Sequence, residues 1–336
     1  DVPPDNAPRA PITAAHYRAD APVAHDWQIP EHFNIGLAAC DRWADGSGRA
    51  AIIAEDADGN VITWSFDQLK VLSDQFANVL AEAGIRPGDR IGIYLSQRIE
   101  TVITHIAAYK LGAVTVPLFY LFGPEAITYR LDNSEAAALV TDAAGMDKVH
   151  LAGALPALKV VFCVEQSDIV LPQTTDFWDR LRAASPVFET VSTLADDPAM
   201  IIYTSGTTGK AKGALHAQRV LLGHLPGVEV SHDSFPQPGD RFWTPADWAW
   251  IGGLLDVLLP SLYHGVAVVA RRLEKFDAAT VFGLLARHGI RNVFFPPTAL
   301  KMLRGTPDPR AQWDFSLRSV ASGGETLGDD LIAWGH

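Results

Sequence analysis

Cysteine is almost missing. Only Cys40 and Cys163 occur in 336 residues. Two thiols so far apart make neither a disulfide framework nor a zinc-ligand spacing, so a reducing, cytoplasmic setting is expected. Basic charge is short too: 27 Lys and Arg stand against 39 Asp and Glu, a net −12. That balance argues against nucleic acid as a main partner. No stretch reads as a membrane span. The nearest candidate, Trp248 to Ala270, contains Asp256, Pro260 and His264. A carboxylate at mid-span is costly in lipid, so the stretch is read as core helix, turn and strand. The chain opens on Asp1 without a basic-then-apolar leader, and it shows no internal repeat or low-complexity tract. His16, His25 and His32 lack a metal-ligand spacing, and no metal site is assigned.

What is present is a long alternation of strand and helix signals. Residues 1–30 are rich in proline and read as an irregular arm. A helix is expected from Phe33 to Ala44, then strands Ala50 to Glu55 and Val61 to Trp64 around an Asp58-Gly59-Asn60 turn. Ser65-Phe66-Asp67-Gln68 has the spacing of a capping box and should open a helix reaching Ala83. Strand Ile91 to Leu95, helix Glu100 to Leu111 and strand Ala113 to Pro117 form a βαβ unit, hence a parallel sheet. A helix from Pro124 to Leu131 and strands Ala137 to Thr141 and Lys159 to Val164 follow. Further on come helix Ile251 to Leu262, strand Val266 to Ala270, helix Phe276 to His288 and strand Asn292 to Phe295. Pro296-Pro297-Thr298 starts the next helix, and Leu317 to Ala321 is the last strand.

The chemically richest run is Thr204-Ser205-Gly206-Thr207-Thr208-Gly209-Lys210-Ala211-Lys212-Gly213, placed after a buried strand that ends at Tyr203. Glycines let backbone N–H groups turn towards a ligand, and consecutive N–H groups form an anion-binding concavity. Hydroxyls and two lysines add donors and charge. The spacing is not that of the Walker A loop, because only two residues separate Gly206 from Gly209 and Ala211 follows Lys210. A lone GxxG would be a polar turn; the whole run points to polyphosphate. A helix from Ala214 to Leu225 is expected next, with its N-terminus and dipole facing the loop.

This run resembles the phosphate loop of the adenylate-forming (AMP-binding) superfamily. The similarity extends from about Ile35 to the last residue and is nearest the acyl-CoA synthetases of the acetyl-CoA and medium-chain branch. Gly88-Asp89-Arg90-Ile91-Gly92-Ile93 and Lys110-Leu111-Gly112-Ala113-Val114 share it, in a structural role. The resemblance implies an α/β fold of two packed αβ subdomains, the N-terminal domain of that family without its C-terminal domain. One subdomain would span about 70–225, the other about 31–69 plus 226–336. It implies ATP, Mg²⁺ and CoA, and an AMP-forming carboxylate–CoA ligase working through an acyl-adenylate. Thr204, Ser205, Gly206, Thr207, Thr208, Gly209, Lys210 and Lys212 would hold phosphate.

Two further segments fit. Trp243-Thr244-Pro245-Ala246-Asp247-Trp248-Ala249-Trp250 is an aromatic cluster that composition alone would assign to core. It resembles an Ala-Asp-x-Gly-Trp run that leads into the acyl pocket, with Ala249 at the usual glycine. Trp250, Ile251, Gly252 and Gly323 would shape that pocket. Ser322-Gly323-Gly324-Glu325-Thr326 follows a strand. It is either a turn into a helix N-terminus or, as the resemblance implies, an adenine site at Gly324, Glu325 and Thr326. Glycine at both 252 and 323 leaves the pocket floor open, so a medium-chain, branched or aryl acid is expected over acetate. The family's Mg²⁺-binding Glu and catalytic Lys would lie beyond residue 336, and the chain alone is expected to be inactive. An enzyme loading a carrier protein and a non-catalytic nucleotide-binding module remain alternatives.

Overall fold

The computed structural model describes residues 27–151, 153, 155–171, 173–204 and 210–335. Among them the strands are β1 (Ala50–Glu55), β2 (Val61–Ser65), β3 (Arg90–Tyr94), β4 (Val114–Pro117), β5 (Ala136–Thr141), β6 (Val160–Cys163), β7 (Thr174–Asp176), β8 (Pro198–Thr204), β9 (Lys212–Ala217), β10 (Arg241–Trp243), β11 (Ala267–Ala270), β12 (Asn292–Phe294) and β13 (Ser319–Ala321). They form two sheets in an α/β arrangement, ordered β7-β6-β5-β3-β4-β8-β9 and β13-β12-β10-β11-β1-β2.

The chain divides into two compact units. The first comprises Ile29–Arg49 and Ser65–Val220, the second Ala50–Trp64 and Leu221–His336. This differs from the expected division, which gave 31–69 as a whole to the second subdomain. Side chains explain the difference. Asn34 donates to the Tyr109 carbonyl at 2.7 Å and accepts from Gly36 N, capping helix Ile35–Ala39. Lys110, fully buried, reaches Asp41 at 2.6 Å, Asp74 at 2.7 Å and the Ser73 hydroxyl at 2.9 Å. A buried ammonium needs its partners, so Asp41 and helix Phe66–Glu82 are bound to helix Ile99–Leu111. Only β1 and β2 join the other sheet, β1 pairing in parallel with β11.

Local signals held where backbone chemistry is self-contained. The capping box is complete: Ser65 Oγ accepts from Gln68 N at 3.1 Å, and Gln68 Oε1 from Ser65 N at 2.9 Å. Gly112 ends its helix at φ 73°. In the first sheet β3 to β8 run parallel, while β9 lies antiparallel on β8.

That last pairing corrects an expectation. Residues 212–217 are a strand, and the helix begins only at Val220. The open edge of β8 carries unpaired backbone donors and acceptors, and β9 satisfies them. Gly213 permits the close packing, since a Cβ there would lie 2.7 Å from Ile201 Cγ2. The glycine-rich run is therefore flanked by two antiparallel strands, and the helix expected at Ala214 begins only at Val220. The structure adds helix Ala143–His150 before β6, and strand β7 and helix Phe177–Ala183 between β6 and β8. Within Trp248 to Ala270 the chain is helical from Ile251 to Tyr263, with a π-helical segment Leu254–Leu258, and ends in β11. Among the described residues no helix is long and apolar enough to cross a membrane.

Candidate functional site

In the first unit, Thr204 ends β8 and Lys212 opens β9, both exposed, as is Lys210. Thr204 Oγ1 lies 3.5 Å from the Lys212 carbonyl. Ser205, Gly206, Thr207, Thr208 and Gly209 lie outside the described residues. The two arms are held by helix Pro124–Asn133. Tyr203 donates to Asn133 Oδ1 at 2.8 Å, and Tyr129 donates to the Ala211 carbonyl at 2.8 Å. Lys210 Nζ stands 5.3 Å from the Tyr129 ring centroid, a cation–π contact. The tyrosines were missed in the sequence because nothing in a helical apolar pattern marks which face grips a loop some eighty residues later.

In the second unit, the strand order sets the site. The chain passes from β10 to β11 on one side, then returns to place β12 on the other side of β10. Such a reversal opens a crevice at the carboxyl ends of parallel strands, the usual ligand position in open α/β sheets. The row there is Thr244, Phe294 and Ala321: Thr244 Oγ1 donates to the Phe294 carbonyl at 2.7 Å, and Phe294 is in register with Ala321. The expected acyl and adenine residues follow those strand ends. Trp250 precedes helix Ile251–Gly253, and Gly323 to Thr326 follow β13.

The structure brings Gly252 and Gly323 to one aromatic ring. A Cβ at Gly252 would stand 2.9 Å from Phe294 Cε1, and one at Gly323 would stand 3.5 Å from Phe294 Cε2. Phe294, not empty space alone, occupies the room beside the two glycines. Gly253 is constrained more tightly, by backbone: its Cβ would collide with the Asp247 carbonyl oxygen and lie 2.9 Å from that of Ala246. Neither Phe294 nor Gly253 was legible in the sequence, because their roles arise from which backbone passes beside them.

The aromatic cluster divides. Trp243 and Trp248 are core, the latter 1% exposed, whereas Trp250 is 39% exposed at the helix start. Gly324, at φ 95°, Glu325 and Thr326 are exposed. Thr326 lines a cleft of about 620 Å³ with Lys301, Arg304 and Asp330. The Ser322 hydroxyl is buried and makes no hydrogen bond to the described residues. Two imidazoles in other surroundings are held neutral. Burial pushes His105 down to about 3. Burial, with the Arg318 guanidinium adding to it, pushes His232 down to about 4. His232 Nδ1 lies 2.7 Å from Ser319 Oγ.

Comparison with known proteins identifies the family. The family model "AMP-binding enzyme" matches residues 40–336, and the chain belongs to that family. It is 30% identical to an acetyl-coenzyme A synthetase of Pasteurella multocida, over 94% of this chain and 51% of that protein. It is 29% identical to the mitochondrial acyl-coenzyme A synthetase ACSM2 of Rattus norvegicus, over 91% of this chain and 54% of that one. A crystal structure of a Brucella canis acyl-CoA synthetase superposes with a TM-score of 0.83 at 30% identity, covering 91% of this chain and 56% of the other. An anthranilate CoA ligase solved with anthranoyl-AMP shares the fold, with a TM-score of 0.82 at 23% identity. The chain spans about half the length of the curated relatives it matches.

Proposed function

We propose that this chain supplies the nucleotide- and acyl-binding part of an AMP-forming carboxylate–CoA ligase whose acid is medium-chain, branched or aryl. A carboxylate oxygen attacks the α-phosphorus of ATP, the bond to the β-phosphate breaks, and acyl-adenylate and pyrophosphate result. The CoA thiol then attacks the acyl carbonyl and AMP leaves. Both steps depend on positioning and on neutralising charge. Thr204, Ser205, Thr207, Thr208 and Lys212 hold the β- and γ-phosphates, with Lys210 beside them and Gly206 and Gly209 allowing close approach. Gly324, Glu325 and Thr326 hold adenine. Mg²⁺ would accompany ATP, as the family resemblance implies.

The observation that carries the acid class is the contact of Gly252 and Gly323 with Phe294. Two glycines on one ring leave a flat wall without side-chain bulk on either side, which suits a long or planar acyl group. The test is a ladder of acids, from acetate to octanoate and benzoate, offered to a protein of the relatives' full length that carries this chain. Preference for acetate would reject the acid class while leaving the ligase reading intact. The 336-residue chain by itself is expected to make no acyl-CoA, and thioester formed by the purified chain would contradict that expectation. Loading of a carrier protein instead of CoA is the second outcome the same assay distinguishes, by which acceptor takes the acyl group.

A further inference from the structure

The flanks of the phosphate hairpin are gripped by one face of one helix. Tyr129 and Asn133 are four residues apart on helix Pro124–Asn133 and therefore share a face. Asn133 takes the outgoing arm, accepting from the Tyr203 hydroxyl at 2.8 Å; the same hydroxyl lies 3.2 Å from the Arg130 carbonyl. Tyr129 takes the return arm, donating to the Ala211 carbonyl at 2.8 Å. The two tyrosine rings meet edge to face, with centroids 6.3 Å apart. Ala211 is the residue between the loop's two lysines. In a trans peptide the C=O and the following N–H point opposite ways. Fixing the Ala211 oxygen on the helix therefore also fixes the direction of the Lys212 N–H, while the Tyr129 ring holds the Lys210 ammonium at 5.3 Å.

We propose that Tyr129 is a positioning residue for nucleotide binding: its hydroxyl sets the Ala211–Lys212 peptide and its ring face parks Lys210, so the loop's cations are placed before ATP arrives. The proposal rests on the phosphate-binding reading of the loop. Tyr129 packs on the rim of the core beside Tyr203, yet it stays half-buried, and its hydroxyl and ring also reach Ala211 and the exposed Lys210. A neutral hydrogen bond and a cation–π contact are each weak enough to yield when a polyphosphate claims Lys210.

The probes are Mg-ATP and inorganic pyrophosphate, offered to this chain and to a protein of the relatives' full length that carries it. Tyr129→Phe keeps the ring over Lys210 and loses the hydrogen bond; Tyr129→Leu loses both. The Kd for Mg-ATP should rise about fivefold in the first and about tenfold or more in the second. Amide exchange at Ala211 and Lys212 should quicken in both. In pyrophosphate exchange, KM for ATP should rise and KM for the acid should not, a split that a merely structural role would not produce. Unchanged ATP affinity in Tyr129→Leu, with Lys212→Ala impaired, would overturn the positioning role and spare the loop. Unchanged ATP affinity in Lys212→Ala would overturn the loop reading and this proposal with it. Should the leucine variant fail to fold, the phenylalanine variant alone decides.

Discussion

The paired ends of β8 and β9 and the carboxyl ends of β10, β12 and β13 carry the two groups of candidate site residues, and they are made differently. At the hairpin, Lys210 and Lys212 face water and the arms are tied by two tyrosine hydroxyls. At the strand ends, residues more than forty apart in sequence converge on Phe294, and the limiting contacts are glycine against ring or glycine against carbonyl. The first region rests on residue type, so it can be recognised in ten consecutive letters. The second works through proximity, so its letters are weak until the strands are in register. Charge at the hairpin should therefore govern rate, and shape at the strand ends should govern choice of acid.

The largest effect should separate the two regions outright. In a protein of the relatives' full length, Lys212→Ala or Thr207→Val should cut pyrophosphate exchange on the order of 10²–10³-fold, the scale of losing one charge-stabilising donor. The ranking of acids should stay as it was. Exchange at the parental rate in both variants would remove the hairpin from the mechanism.

Acid stability should then compare the units. His105 belongs to the first and His232 to the second, and both are depressed below the usual imidazole range. An unfolded histidine takes a proton near pH 6.5, so the stability these neutral groups carry is present above that pH. It declines as pH falls towards about 4 for His232 and about 3 for His105. Between pH 7 and 5 the loss should be about 2 kcal/mol per histidine by urea titration. Asp41 and Asp142, pushed up by burial, act in the opposite sense at lower pH. His232→Gln is therefore the control: it should flatten the pH 7 to 5 slope, and an unaltered slope would mean His232 is already charged.

Shape at the strand ends is tested by Gly323→Val. A Cβ there meets Phe294 at ordinary contact distance, so the side chain fits and narrows the space. Preference should shift towards short acids by roughly 10–200-fold in kcat/KM per methylene-scale contact. No change across the acid ladder would detach Gly323 from the acyl group. The smallest effect distinguishes the two glycines. Gly252→Ala forces the Phe294 ring to move and should cost about 1 kcal/mol of stability, the low end of overpacking. Gly323→Ala should cost less, and equal melting temperatures would show that the ring moves freely.

Much of the fold was legible because it is local. The Ser65/Gln68 box, the Gly112 terminus and the strand–helix–strand run from Arg90 to Pro117 stand within a residue or two of where pattern put them. The reading failed at residues 214–219, where small and apolar letters suit a helix. The free edge of β8 took residues 212–217 as a strand, a demand that comes from backbone hydrogen bonding elsewhere. It failed also over 31–49 and 65–69, which the buried Lys110 ammonium draws to the first unit through Asp41 and Asp74. Nothing in the spacing of Asp41, Asp74 and Lys110 announces that they meet.

By itself the sequence determined the family and the likeness of the 204–213 run to that family's loop, because such a likeness needs particular residues in one short stretch: glycines, hydroxyls and lysines. It also determined the parallel sheets, because period and turn residues act over a few positions. Tertiary structure alone decided that the strands flanking the loop pair with each other and are tied to one helix through Tyr129 and Tyr203, and that Gly252 and Gly323 stand beside the Phe294 ring. Those facts depend on which distant backbones lie side by side. Strand order and buried charge pairing set that, and no single segment of the chain encodes it.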